Sequence, residues 1–126
     1  MSIKIEGTTI KIYQGDSGTI QFEGLPASAL IYMAVKDKKN NTIFPEMKDR
    51  ADENGNISFE ITAEMSDKFD VDLTQEYTTY YYGIKRVNLD TLEEDTVFLG
   101  DKPRYGDKYE IKVYPKKVEG IYDGEG

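Results

Sequence analysis

The chain has 126 residues, with 16 Lys plus Arg against 24 Asp plus Glu, a net charge of −8 at pH 7. That length holds one domain around one core. With no His, Cys or Trp, the chain excludes Ser-His and thiol nucleophiles, imidazole acid–base chemistry, disulfides and zinc sites built on nitrogen or sulfur ligands.

Read from the start, Met-Ser-Ile-Lys-Ile-Glu lacks the apolar run of a signal peptide. Ile10 and Ile12 then alternate with Thr9 and Lys11. Gly15-Asp16-Ser17-Gly18 breaks this run from a second one, Ile20 and Phe22, which Gly24-Leu25-Pro26 ends. Alternation sends one side of a strand to a core and the other to water, the pattern of antiparallel sheet. Residues 29–35 are apolar on both faces, which predicts a central, well-covered strand; the run is too short to cross a membrane.

Asp52-Glu53-Asn54-Gly55 follows, and its Asn-Gly supplies the positive φ of a tight hairpin before the alternating Ile57, Phe59 and Ile61. The period changes at residues 62–69. Met65 and Phe69 stand at i, i+4 and Thr62 can cap, so a short helical turn is expected between strands. Tyr80, Tyr82 and Ile84 form the next alternating strand, and Asn88-Leu89-Asp90-Thr91 turns it into a strand at residues 96–99. Tyr109, Ile111 and Val113 form the last. Residues 116–126, with three glycines and little apolar content, read as a flexible tail.

Several motifs suggest chemistry that their surroundings deny. Gly15-Asp16-Ser17-Gly18 spells the nucleophile stretch of chymotrypsin-like proteases, but no His exists to take the serine proton. A turn is the better reading. Aligning Gly55 with the sixth position of an EF-hand loop puts Arg50 first and Ile61 twelfth, where carboxylates are needed. The sequons at Asn40 and Asn56 read as accidents of Asn-rich loops. Asp67, Asp70 and Asp72, and Glu93, Glu94 and Asp95, are acidic patches that fit a solvated surface better than a glycosidase carboxylate pair. No catalytic residue, cofactor or metal ligand is expected.

The most informative stretch is residues 77–84, Tyr-Thr-Thr-Tyr-Tyr-Tyr-Gly-Ile. It has high β propensity, no charge and no Pro, so on an open edge it would be an aggregation hazard. It must be a central strand or be covered by a partner. Tyr80, Tyr82 and Ile84 share one side, and Tyr77, Thr79 and Tyr81 the other. The second side is polar-aromatic, a composition favoured at contact surfaces. Tyr77, Thr79 and Tyr81 are therefore the candidate interface, set against simple cross-strand Tyr–Thr pairing on a solvated face.

The order of elements resembles the immunoglobulin-like N-terminal domain of phage baseplate upper proteins and related small domains of tailed-phage virions. The likeness runs over residues 8–115: Gly15-Asp16-Ser17-Gly18-Thr19 opens a strand, then come the Asn-Gly turn, the turn at residues 62–69, the Tyr-x-Tyr-x-Ile strand, a hairpin with Thr96 and Gly100, and a last strand with Ile111 and Val113. The family's domain commonly precedes further receptor-binding or fibre domains, whereas this chain stops soon after it. The resemblance implies an assembly module without catalysis, and here a stand-alone accessory or structural virion protein.

The resulting expectations are an all-β fold, an immunoglobulin-like antiparallel β-sandwich of about seven or eight strands with one short helical turn, over residues 1–115, with residues 116–126 as the tail. Its core holds Ile12, Ile20, Phe22, Ile31, Met33, Val35, Ile57, Phe59, Ile61, Phe69, Tyr80, Tyr82, Ile84, Ile111 and Val113. The expected function is a non-enzymatic phage virion structural or assembly protein of the tail or baseplate, made in the host cytoplasm and located in the virion. Its partners are other virion or tail proteins, with self-association open; neither nucleic acid nor membrane is a partner. The alternatives are an acidic nucleic-acid mimic that inhibits a host defence protein, and a carbohydrate-binding module.

Overall fold

The computed structural model describes residues 3–100 and 102–120. Nine strands and one helical turn follow in order: β1 (Lys4–Glu6), β2 (Thr9–Tyr13), β3 (Gly18–Phe22), β4 (Leu30–Lys36), β5 (Met47–Arg50), β6 (Ile57–Ile61), α1 (Ala63–Ser66), β7 (Thr78–Val87), β8 (Glu94–Thr96) and β9 (Tyr109–Tyr114). The protein is an all-β sandwich. A seven-stranded sheet runs β1-β2-β9-β7-β4-β5, with β8 pairing β7, and β3 and β6 form the second layer. Neighbours are antiparallel except β2 and β9, which pair in parallel from Ile10↔Ile111 to Tyr13↔Tyr114. Joining an early strand to the last one, beside the series β9-β7-β4-β5, reproduces an immunoglobulin-like strand order with the second sheet reduced to two strands.

Period-two patterning explains the layers. Ile10, Ile12, Ile31, Met33, Val35, Tyr80, Tyr82, Ile84, Tyr109, Ile111 and Val113 point inward from the large sheet, and Ile20, Phe22, Ile57, Phe59 and Ile61 meet them from the small one. Every core residue expected from the sequence is buried. Ile3, Leu25, Ala29, Phe44 and Ala51 join them from short or irregular segments where no alternation marks a buried side.

Three polar anchors fix the connections. The Tyr80 hydroxyl donates to the Asp70 carbonyl at 2.7 Å and accepts from the Asp70 N–H at 2.8 Å. A Tyr early in this strand, bonded back to the backbone of the preceding connection, is the tyrosine corner of immunoglobulin-like sandwiches. The Thr62 hydroxyl caps α1 by accepting from the Met65 N–H at 3.1 Å. Ser66, fully buried, donates to the Asp16 carbonyl at 2.6 Å and ties α1 to the turn between β2 and β3.

Three expectations need adjustment. Asp52-Glu53-Asn54-Gly55 is not a hairpin within one sheet, because β5 pairs β4 and β6 pairs β3. It carries the chain from one layer to the other. Gly55, at φ +79°, is required there: a Cβ would lie 2.2 Å from the Leu25 carbonyl oxygen. The strand expected at residues 96–99 lies earlier, at Glu94–Thr96. Finally, β4 is central, between β7 and β5, but only its inner side is fully covered. Leu30, Tyr32 and Ala34 are half-buried because no layer of the described residues lies over the outer face of the large sheet. The tail expected at residues 116–126 is described only to 120, and there Lys116 pairs with Asp67 at 3.0 Å.

Candidate contact face on the large sheet

Tyr77, Thr79 and Tyr81 stand together on the outer face of the large sheet, each half-buried. Their cover comes from the neighbouring strand. The Lys112 ammonium lies 4.8 Å from the Tyr77 ring centroid, and that of Lys108 lies 5.4 Å from the centroid of Tyr81. Thr79 is directly opposite Lys112. Cross-strand pairing therefore accounts for part of their burial, the lysine stems lying over the rings. Towards β2 the aromatic file continues, with Tyr77 5.6 Å from Tyr114 and Tyr114 5.5 Å from Tyr13.

On the other side of Tyr81 the face opens into a groove of about 760 Å³. Its floor is the cross-strand pair Ala34↔Gly83, the two small residues where β4 and β7 run side by side. Tyr32, Tyr81 and Lys36 rise around it, and Lys85 with Glu94 and Thr96 close one end. Gly83 has no positive φ, and a Cβ built on it meets nothing within 4 Å. Neither backbone geometry nor packing asks for glycine in the middle of this ten-residue strand. A strand glycine often marks a bulge, a bend or a place another group approaches closely, and the β4–β7 register runs unbroken through Ala34↔Gly83 with no bulge.

Several of the charged groups around the groove are engaged. Lys85 pairs with Glu94 at 2.7 Å, and this bond raises the lysine pKa. Lys36 donates to the Thr42 hydroxyl at 2.8 Å. The Asp37 carboxylate caps the turn after β4, where the Asn41 N–H, the Asn41 amide and the Lys39 N–H hold its pKa below the usual range. Asp107 is tied to Arg104. The arrangement offers aromatic and aliphatic surface framed largely by paired charges, which suits binding. Among the described residues no group of three or more acidic side chains is placed to hold a metal ion.

Charge is also segregated between the layers. The outward-facing positions of the large sheet include Lys4, Lys11, Lys36, Lys48, Lys85 and Lys112 against Glu6, Glu94 and Glu110. The outward positions of the small sheet are Thr19, Gln21, Ser58 and Glu60. A chain of net charge −8 thus gathers cations around its tyrosines.

The sequence placed Tyr81 on the exposed side but missed Tyr32 and the Ala34–Gly83 floor. The available signal was Gly83 sharing the side of Tyr81; the residue opposite it depends on a register that no local pattern states. Within the acidic stretches, Asp67 pairs with Lys116, Glu94 with Lys85 and Asp95 with Arg86.

These features define a β-sandwich with a polar-aromatic face open on one layer. No known protein-family model matches the chain, and the curated proteins contain no match to it.

Proposed function

We propose that this protein is a non-enzymatic assembly module that works by protein–protein contact through the outer face of its large sheet. Following the resemblance to the N-terminal domain of phage baseplate upper proteins, it is a structural component of a tailed-phage virion, in the tail or baseplate. The observation that carries the contact reading is the Ala34–Gly83 depression between Tyr32 and Tyr81, kept open where neither fold nor φ requires glycine. The immunoglobulin-like strand order supports the assignment of class.

The test is incorporation. In particles purified from the host that carries the gene, the chain should be present at a fixed ratio to the tail proteins. Tyr81→Lys should remove it from the particles while changing unfolding free energy by less than about 1 kcal/mol, as for a partly exposed side chain. Absence of the native chain from particles defeats the virion reading. Loss of folding in Tyr81→Lys makes Tyr81 a structural residue and defeats the contact reading.

The tyrosine walls also favour a carbohydrate-binding module, because sugar rings stack on exposed aromatic faces. Binding on a glycan array that Tyr32→Ala abolishes would replace the first reading. A nucleic-acid mimic has less support, since several of the carboxylates it would need are paired with Lys or Arg.

A further inference from the structure

The two flanks of the sandwich differ. On one, β5 and β6 are joined across the layers by the short connection that contains Gly55, and the Asp52 N–H donates to the Asn56 carbonyl at 2.9 Å. On the other, the end strands, β1 bonded only to β2 and β3 bonded only to β6, have one pairing partner among the described residues, as β5 and β6 do, but no direct connection joins the two. Between these edges runs a groove of about 590 Å³, lined by Ile3, Ile5, Phe22 and Leu99 among others. Ile5 sits at its mouth with 36% of its surface exposed.

An unpaired strand edge is a template for another strand. The sequence of β1 says which one fits. In antiparallel pairing of Lys4-Ile5-Glu6 with a second copy of itself about a two-fold axis, Lys4 falls opposite Glu6 of the other copy, Ile5 opposite Ile5, and Glu6 opposite Lys4. Both charge pairs are attractive, and they exchange with the ion pairs that Glu6 makes to Lys4 at 3.1 Å and to Lys11 at 3.0 Å within its own chain. Register with β2 places Lys4 and Glu6 on the outer side and Ile5 on the inner side, over the groove. The same pairing thus puts both ion pairs in water and draws the two exposed isoleucines together.

We propose that the protein self-associates as an isologous dimer in which the β1 strands of two copies pair antiparallel, extending the large sheet across the two-fold axis. This surface is separate from the tyrosine face, so its failure leaves the reading of that face untouched.

The experiment is sedimentation equilibrium with light scattering from micromolar to millimolar protein, with circular dichroism to check folding. The native chain should show a concentration-dependent monomer–dimer equilibrium. K4E sets carboxylate against carboxylate in both pairs across the axis, and E6K sets ammonium against ammonium. Each alone should weaken the dimer roughly tenfold or more, at about 1 kcal/mol per like-charge pair. An equimolar mixture of the two should dimerise again, because every pair across the axis is then opposite in sign. Ile5→Lys, at an exposed position, should give a folded monomer. A native chain that stays monomeric throughout, a dimer indifferent to K4E and E6K, a mixture that does not reassociate, or a dimeric Ile5→Lys chain would each overturn the proposal.

Discussion

Gly83→Ala should make the protein more stable and less able to bind. Glycine in a strand interior costs about 0.5–1 kcal/mol relative to alanine, through the extra freedom of the unfolded chain. At Gly83 there is no offsetting penalty: φ lies outside the left-handed region and the added methyl meets nothing within 4 Å. Unfolding entropy of about 2.1 cal/mol/K per residue, over 126 residues, is about 0.26 kcal/mol/K. The gain should therefore raise the melting temperature by about 2–4 °C, measured by scanning calorimetry. The same methyl fills the floor between Tyr32 and Tyr81, so incorporation into particles should fall. The matched control is Gly55→Ala, where φ is +79° and the Cβ would lie 2.2 Å from a carbonyl oxygen. It should lose at least about 1–3 kcal/mol, or about 4–11 °C. If Gly83→Ala melts lower than the native chain, the space over Gly83 serves the fold and the argument for an approaching partner is refuted. A stabilised Gly83→Ala that is still incorporated normally would separate the cavity from the contact.

Two further outcomes follow from buried tyrosines. Tyr80→Phe removes both bonds to the Asp70 backbone, each worth about 0.5–1.5 kcal/mol net, so urea unfolding should show a loss of about 1–3 kcal/mol; no loss would mean that the corner does not hold the connection before β7. The Tyr82 hydroxyl is buried and donates to the Thr8 carbonyl at 2.5 Å, and burial pushes its pKa well above the ordinary value near 10; burial raises that of Tyr80 as well. The unfolded chain therefore gives up these protons first. Their contribution to stability is fully present below about pH 10 and is lost as pH climbs towards the folded values. Urea midpoints should fall more shallowly above pH 10 in Tyr82→Phe than in the native chain, and equal slopes would contradict this.

The fold was largely legible because its code is local. Alternation at Ile57, Phe59 and Ile61 is a statement about two sides of one strand, and it holds whatever that strand pairs with. The cap at Thr62 and the i, i+4 spacing of Met65 and Phe69 are equally local. What stayed hidden depends on partners distant in sequence. Nothing near Ile10 announces that Ile111 lies beside it in parallel. Nothing near Gly83 announces Ala34, forty-nine positions earlier, which together with it makes the floor of the groove. The Asn-Gly turn was read correctly as backbone geometry and wrongly as topology, since a positive φ at Gly55 serves a cross-layer connection as well as a hairpin. The side of the sheet that Tyr77, Thr79 and Tyr81 occupy was readable; the lysines stacked over two of them were not.

The Tyr-rich strand shows how one sequence can be both hazardous and useful. As an edge, β7 would offer an uncharged aromatic backbone to any passing strand. Here β4 covers one edge from Tyr81 to Val87, while β9 covers the other over Thr78–Tyr82 and β8 over Lys85–Val87. Most of its ladder is paired inside the sheet, so its side-chain face is what it chiefly presents to a partner. Side-chain faces discriminate by shape and charge, whereas free edges pair with little regard to sequence. The ends of the large sheet follow the same logic from the other direction. β5 is four residues long, with Pro45 just before it and Lys48, Asp49 and Arg50 within it, and β1 is three residues with Lys4 and Glu6. Charge at an edge repels most strands, but the order Lys-Ile-Glu admits a strand bearing the same order reversed. Features that guard a sheet against aggregation thus also restrict what it can join: on the contact and dimer proposals, the broad aromatic face to a surface that fits between Tyr32 and Tyr81, and the short charged edge to a copy of itself.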